Sequence, residues 1–136
     1  MSGGPRLERG RELARRHLGD GVIDRWRSVS EAMEELTSGF AFGGLWSRPG
    51  LGRRDRSLIA IVVTATLRAH PQLGWHVRGA LGAGMSPDEI REALIAVSGL
   101  AGFPAAWSAL EVAEEILAEH EADGGGVGDD GPGGGG

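Results

Sequence analysis

The sequence contains no cysteine among its 136 residues. Disulfides, thiolate-bound zinc, thiol nucleophiles and CxxC redox chemistry are therefore excluded. It contains no lysine either, so arginine supplies all fourteen positive charges. Together with its many Ala and Gly residues, this bias fits GC-rich coding better than any particular chemistry. There is no basic excess: the net charge is −5, and Asp123, Asp129 and Asp130 near the C-terminus supply three of those charges. The rest of the chain is near neutral, which gives no footprint for nucleic acid. Long apolar runs are missing too. The longest, Ser57–Leu67, has eleven residues, too few to span a bilayer. The N-terminus lacks an apolar segment with a cleavage site, so a cytoplasmic, membrane-free protein is expected. The four histidines, His17, His70, His76 and His120, form no HxH or HxxxH pair. No metal site is expected.

What remains reads as one domain, 1–122, followed by a Gly/Asp-rich tail, 123–136, expected to be disordered. Leu7, Leu13, Ala14 and Leu18 give a first amphipathic helix that stops near Gly19 and Gly21. Val22–Arg27 is ambiguous. Ser28 with Glu31 three residues on has the form of a capping box, which predicts a second helix through Ala32, Met33 and Leu36 towards Phe40. Ala41–Gly52 carries five glycines or prolines and reads as a loop. Arg53–Ala69 restarts as a helix, with Asp55 in its first turn. Its middle, LIAIVVTATL, is apolar on nearly every face. The length of the run, and the lack of a partner strand elsewhere, favour helix over strand. A helix buried all round needs more cover than so small a domain supplies, which predicts an oligomer.

Pro71 opens the next helix, carrying Leu73, His76, Val77, Ala80 and Leu81, which ends at Gly82 and Gly84. Ser86-Pro87-Asp88-Glu89 is a strong start signal: Ser at N-cap, Pro at N1, Glu at N3. Ile90, Leu94, Val97 and Ala101 share one face of the helix that follows. Pro104 opens a last helix with Trp107, Leu110, Ala113, Ile116 and Leu117 apolar, and Glu111, Glu114 and Glu115 outward. The expected class is all-α, with about six helices.

Five segments, in this order and spacing, carry a family likeness: ERGRELARRHLGD, LWSRPGLGRRDRSL, HVRGAL, SPDEIREAL and AGFPAAWSALEVAEEI. Over about residues 6–119 the chain resembles the carboxymuconolactone decarboxylase family, within the AhpD-like superfamily. The resemblance implies an all-α, AhpD-like helical domain assembled as a homo-oligomer, trimer or hexamer. It implies cofactor-free decarboxylation of a small-molecule lactone, 4-carboxymuconolactone, to 3-oxoadipate enol-lactone, a step of aromatic catabolism in the protocatechuate branch of the 3-oxoadipate pathway. The superfamily's alkylhydroperoxidases use a CxxC pair, which this chain lacks. Decarboxylases of the group often read Cys-Gly-Val-Pro-Ala-Ala-Asn where this chain has Ala101-Gly102-Phe103-Pro104-Ala105-Ala106-Trp107. That departure leaves open a different cyclic acid as substrate, or a non-catalytic protein that has kept the fold.

Under the resemblance, His76 is expected to be catalytic, as proton donor or oxyanion partner, because an imidazole ordinarily titrates near working pH. Its plainer reading is a half-buried ring bonded to a backbone carbonyl. Glu92 is the second catalytic candidate, orienting His76 or shuttling a proton, against the plain reading of an exposed carboxylate. Glu89 is assigned to its cap. Arg48, Arg53 and Arg54 flank the glycine loop, and one of them would clamp the substrate carboxylates. Arg78, two residues from His76, points away from it, towards solvent or a neighbouring subunit. Trp46, Phe103 and Trp107 are expected to wall the site, or simply to pack in the core.

Overall fold

The computed structural model describes residues 4–124. Among them there is no strand, and the class is all-α, as the AhpD-like expectation required. Seven α-helices and one π-helical segment are present: α1 Gly4–Leu18, α2 Val22–Val29, α3 Glu31–Leu36, the π-helix Thr37–Trp46, α4 Arg53–Thr66, α5 His70–Gly82, α6 Pro87–Ala101 and α7 Phe103–Ala122. The expected disordered tail lies outside the described residues from 125 onward. No described helix is long and apolar enough to cross a membrane. The chain divides into two compact units, one up to Arg56 and one from Ser57.

In the first unit, α1 stops where Gly19 takes φ 102°. Three expectations here need correcting. Val22–Val29 is helical, and Ser28 lies inside that helix, its hydroxyl donating to the Arg25 carbonyl at 2.7 Å. The cap belongs to Ser30, whose extended backbone (φ −164°) lets its side chain accept from the Met33 N–H at 3.1 Å. Helix α3 does not run on as α-helix to Phe40, nor is Ala41–Trp46 loop. The backbone widens to π-helix from Thr37 to Trp46. This segment packs tightly on α1 through glycine. A Cβ at Gly10 would collide with the Ser38 carbonyl, and one at Gly43 with the Arg6 backbone. Only residues without side chains let these backbones approach so closely.

Glu34 fastens the same unit. It is buried, yet it receives Arg11 at both oxygens (2.8 and 3.0 Å), Arg27 at 3.2 Å and the Ser38 hydroxyl at 2.6 Å. The Arg11 bonds, with help from Ser38 and Arg27, hold its carboxyl at about 2, against the pull of burial. A buried carboxylate persists only when it is paired and hydrogen-bonded in this way. Four elements thus meet on one side chain: α1, α2, α3 and the π-helix.

In the second unit, α4 is helical, as its long apolar run predicted. Ser57, Ile61 and Ala65 are its buried face. Helix α5 presents Leu73, Val77 and Ala80 to the core, and α6 presents Ile90, Leu94 and Val97. Ala101, expected on that face, is exposed. Helix α7 contributes Ala105, Ala109, Ala113, Ile116 and Leu117 at helical spacing, and the small side chains let the facing helices come close. Each fully buried Leu or Ile here stabilises by roughly 1.5–3 kcal/mol. The capping box at α6 forms as read. The Glu89 N–H donates to the Ser86 hydroxyl at 3.0 Å, and the Ser86 N–H donates to the Glu89 carboxylate at 2.9 Å. Gly102, at φ 104°, makes the sharp corner between α6 and α7.

Candidate active site

The expected site residues fall in both units. Trp46, Arg48, Arg53 and Arg54 belong to the first, and His76, Arg78, Glu92, Phe103 and Trp107 to the second.

In the first unit two of the four converge. Trp46 ends the π-helix and Arg53 begins α4, and both meet His17 near the end of α1. The His17 and Trp46 ring centroids lie 4.5 Å apart at 48°. Arg53 Nη1 lies 3.1 Å from His17 Nδ1. Phe42 stacks on Trp46 at 5.3 Å and lies 6.3 Å from His17 and 6.1 Å from Trp26. His17 is only 3% exposed. Burial, and then the positive charge of Arg16, lower the pKa of Arg53 from its ordinary value. Arg48 and Arg54 are exposed. Arg56 braces the loop before α4, donating to the Arg48 carbonyl at 3.1 Å and the Leu51 carbonyl at 3.2 Å. From the other end, Ser47 donates to the Phe42 carbonyl at 2.6 Å.

His17 was absent from the expected site. The signal for it was the spacing Leu7, Gly10, Ala14, His17, which marks the buried face of α1. That puts His17 with the core residues rather than with the outward arginines.

In the second unit, His76 is half-buried on α5, and Arg78 on the same helix is exposed. Burial pushes the His76 imidazole down to about 4. The expectation of a ring titrating near working pH is corrected accordingly: the desolvated ring is neutral at pH 7, because a cation there would lose its hydration. A neutral imidazole offers one N–H and one acceptor, not a ready acid. Glu92 is exposed on α6. Phe103 and Trp107, one turn apart at the start of α7, are 66% and 67% exposed. Within one chain they stand open rather than enclosing a cavity.

A shallow groove of about 530 Å3 in the first unit is lined by Arg6, Leu7, Ala32, Glu35, Leu36, Gly39 and Phe40. It contains none of the expected site residues. Among the described residues no group of three His, Asp or Glu side chains is placed to hold a metal ion.

The described residues thus hold a half-buried histidine on α5 and, in the other unit, an arginine in contact with a buried histidine, all on helices. Residues 31–115 match the carboxymuconolactone decarboxylase family, and the chain belongs to that family. It is 33% identical over 121 residues to a 4-carboxymuconolactone decarboxylase of Acinetobacter baylyi, covering 86% of this chain and 90% of that protein. It is 36% identical over 84 residues to a nitrosuccinic acid decarboxylase of Metarhizium robertsii, covering 62% of this chain and 59% of that one. It is 40% identical over 85 residues to an uncharacterised 15.0 kDa protein of Paracoccus denitrificans, covering 60% of this chain and 63% of that one.

Proposed function

We propose that this protein is a carboxy-lyase that converts 4-carboxymuconolactone to 3-oxoadipate enol-lactone without a cofactor. The observation that carries the reading is the similarity to a 4-carboxymuconolactone decarboxylase along nearly the whole of both chains. The chemistry asks little beyond binding and electrostatics. The carbon–carbon bond to the ring carboxylate breaks and CO2 leaves. The electron pair moves through the ring double bond onto the lactone carbonyl oxygen, and a proton then adds to a ring carbon. The substrate is its own electron sink. The protein must hold a dianion, stabilise the oxyanion and let a proton in.

In this reading Arg53 takes a carboxylate, and Trp46 forms an apolar wall beside it. The neutral His76 donates its N–H to the developing oxyanion, which suits it better than the role of acid. Glu92 is exposed, and that fits a shuttle between water and the site better than a brace for His76. Arg48, Arg54 and Arg78, also exposed, supply attraction for the dianion. Phe103 and Trp107 exclude water only when another surface covers them. The reading therefore includes a homo-oligomer, trimer or hexamer. It is supported by Ile59 and Val63 on one side of α4 and Leu67 just past its end, which are 51%, 46% and 71% exposed. A cytoplasmic enzyme with no nucleic-acid partner belongs to the same reading.

A second reading, a different acid as substrate, is favoured by the nitrosuccinic acid decarboxylase among the relatives and by Trp107 at the Gly-Phe-Pro corner. Nitrosuccinic acid also has two carboxyl groups and its own electron sink, the nitro group, so the demands on the protein are the same. Turnover of the lactone and of nitrosuccinate, measured side by side on the purified protein, separates the two.

A further inference from the structure

We propose that the groove in the first unit is where a second copy of this chain docks, across a two-fold axis that brings Arg6 of each copy to Glu35 of the other. The pairing itself rests on this surface. Its place in a larger assembly rests on the homo-oligomer of the proposed function.

The groove runs between the start of α1 and the segment formed by α3 and the π-helix. Its lining is mostly apolar, with Leu7 from α1 and Leu36 and Phe40 from the facing segment. Gly39 lines it too, and keeps it open: a Cβ there would already touch Leu7, 3.6 Å from its Cδ1. Leu7 is buried, but Leu36 and Phe40 are 62% and 59% exposed, and Met33 is 60% exposed. Met33, Leu36 and Phe40 recur at intervals of three and four residues, so they form one apolar stripe along the helical segment. Apolar side chains gathered in this way and left in water mark an interaction surface.

Two charges stand in the same groove, Arg6 and Glu35, both exposed. Among the described residues neither belongs to an ion pair, whereas Arg11, Arg27 and Glu34 in the same unit are all paired. The guanidinium of Arg6 lies against Gly44, where a Cβ would collide with it.

That combination selects the occupant. A small ligand in the groove would leave Met33, which is not part of the lining, uncovered. A macromolecule of one sign would satisfy one of the two charges and oppose the other. A second copy brings the same stripe and the same two charges. Across a two-fold axis residue i meets j and j meets i. Each Arg6 then finds a Glu35, and each stripe covers the other. The stripe supplies affinity, and the two ion pairs fix the register and reject other partners. A ring of three closes by head-to-tail contacts between different patches. A two-fold pair added to such a ring doubles it to a hexamer.

The test is the mass of the full chain in analytical ultracentrifugation over a dilution series. Arg6→Glu leaves two negative charges in the groove, and Glu35→Arg leaves two positive ones. Each variant alone is expected to pair at least about tenfold more weakly than wild type, because like charges meet twice across the axis. Mixed one to one, the two variants should pair with each other, since each brings the sign the other lacks. The double variant Arg6→Glu/Glu35→Arg should pair with itself for the same reason. Leu36→Asp should weaken pairing at least about tenfold as well, by placing a charge in the stripe. If Leu36→Asp does not fold, the charge variants decide the matter. Single charge variants that keep the wild-type mass overturn the inference, and so does a mixture that fails to associate. A wild-type trimer indifferent to every one of these changes overturns it too, and leaves the oligomer of the proposed function standing. A wild-type dimer that the charge variants split into monomers upholds the inference and removes the trimer and the hexamer. A monomeric wild type overturns both.

Discussion

Arg53 donates to Nδ1 of His17 across 3.1 Å, so a buried ring lies against this arginine. The bond joins the end of α1 to the start of α4, two places far apart in sequence. It explains why one arginine of the WSRPGLGRR stretch differs from its neighbours.

Glu34 should matter for folding and little for chemistry. Replacing it by Gln leaves Arg11, which is 13% exposed, facing a neutral amide. The expected loss is about 3 kcal/mol in chemical denaturation, at the low end for a broken buried pair because Arg27 is largely in water. Ser38→Ala should lose about 1 kcal/mol. A Glu34→Gln protein as stable as wild type would mean the network does not fasten the unit.

Acid should destabilise the protein in two stages. The His76 pKa is lowered by folding, from 6.5 to about 4. The unfolded chain therefore takes up a proton first, and the stability this contributes is full above about 6.5 and lost as pH falls towards 4. The Glu34 carboxyl, lowered from 4.5 to about 2, adds a second loss below 4.5 by the same sign. Melting temperatures between pH 7 and 4 should fall, and His76→Gln should flatten that limb while leaving the lower one. An unchanged limb in His76→Gln would show that folding does not lower the His76 pKa.

For activity, His76→Ala should lower kcat by about 100- to 1,000-fold if the ring donates to an oxyanion. His76→Gln, which keeps an N–H donor but cannot become a cation, should retain a measurable part of the rate. If Gln is as inactive as Ala, the ring serves as an acid after all.

The uncovered side of α4 predicts assembly. Sedimentation should give a trimer or hexamer, and Val63→Asp should shift it towards smaller species by placing a charge where Ile59 and Leu67 lie a turn to either side. A monomeric wild-type protein would remove the oligomer from the proposal.

Much of the fold was legible because its signals are local. The Ser86 cap, the proline starts of α5 to α7 and the glycine stops each act within one turn. The long apolar run of α4 was read correctly as helix. The failures share a cause. Ser28 has a glutamate three residues on and Ser30 does not, yet Ser30 is the cap, because α2 persists to Val29 under the packing of Val22 and Ile23. The π-helix follows no apolar period and contains three glycines, so it looks like a loop; its order comes from contact with α1. His17 is polar, and nothing local says that Trp46 and Arg53, about thirty and thirty-six residues away, come to meet it. The lowered pKa of His76 arises from burial, which spacing alone does not report.

The most direct test of the account is decarboxylation itself. Purified protein, stripped of metals by a chelator and given no cofactor, is mixed with 4-carboxymuconolactone, and CO2 release is followed together with loss of the lactone absorbance. The account predicts equal amounts of CO2 and enol-lactone. No turnover of the lactone, with CO2 released from nitrosuccinate instead, would contradict the proposed substrate; no CO2 from either would contradict the proposed enzyme.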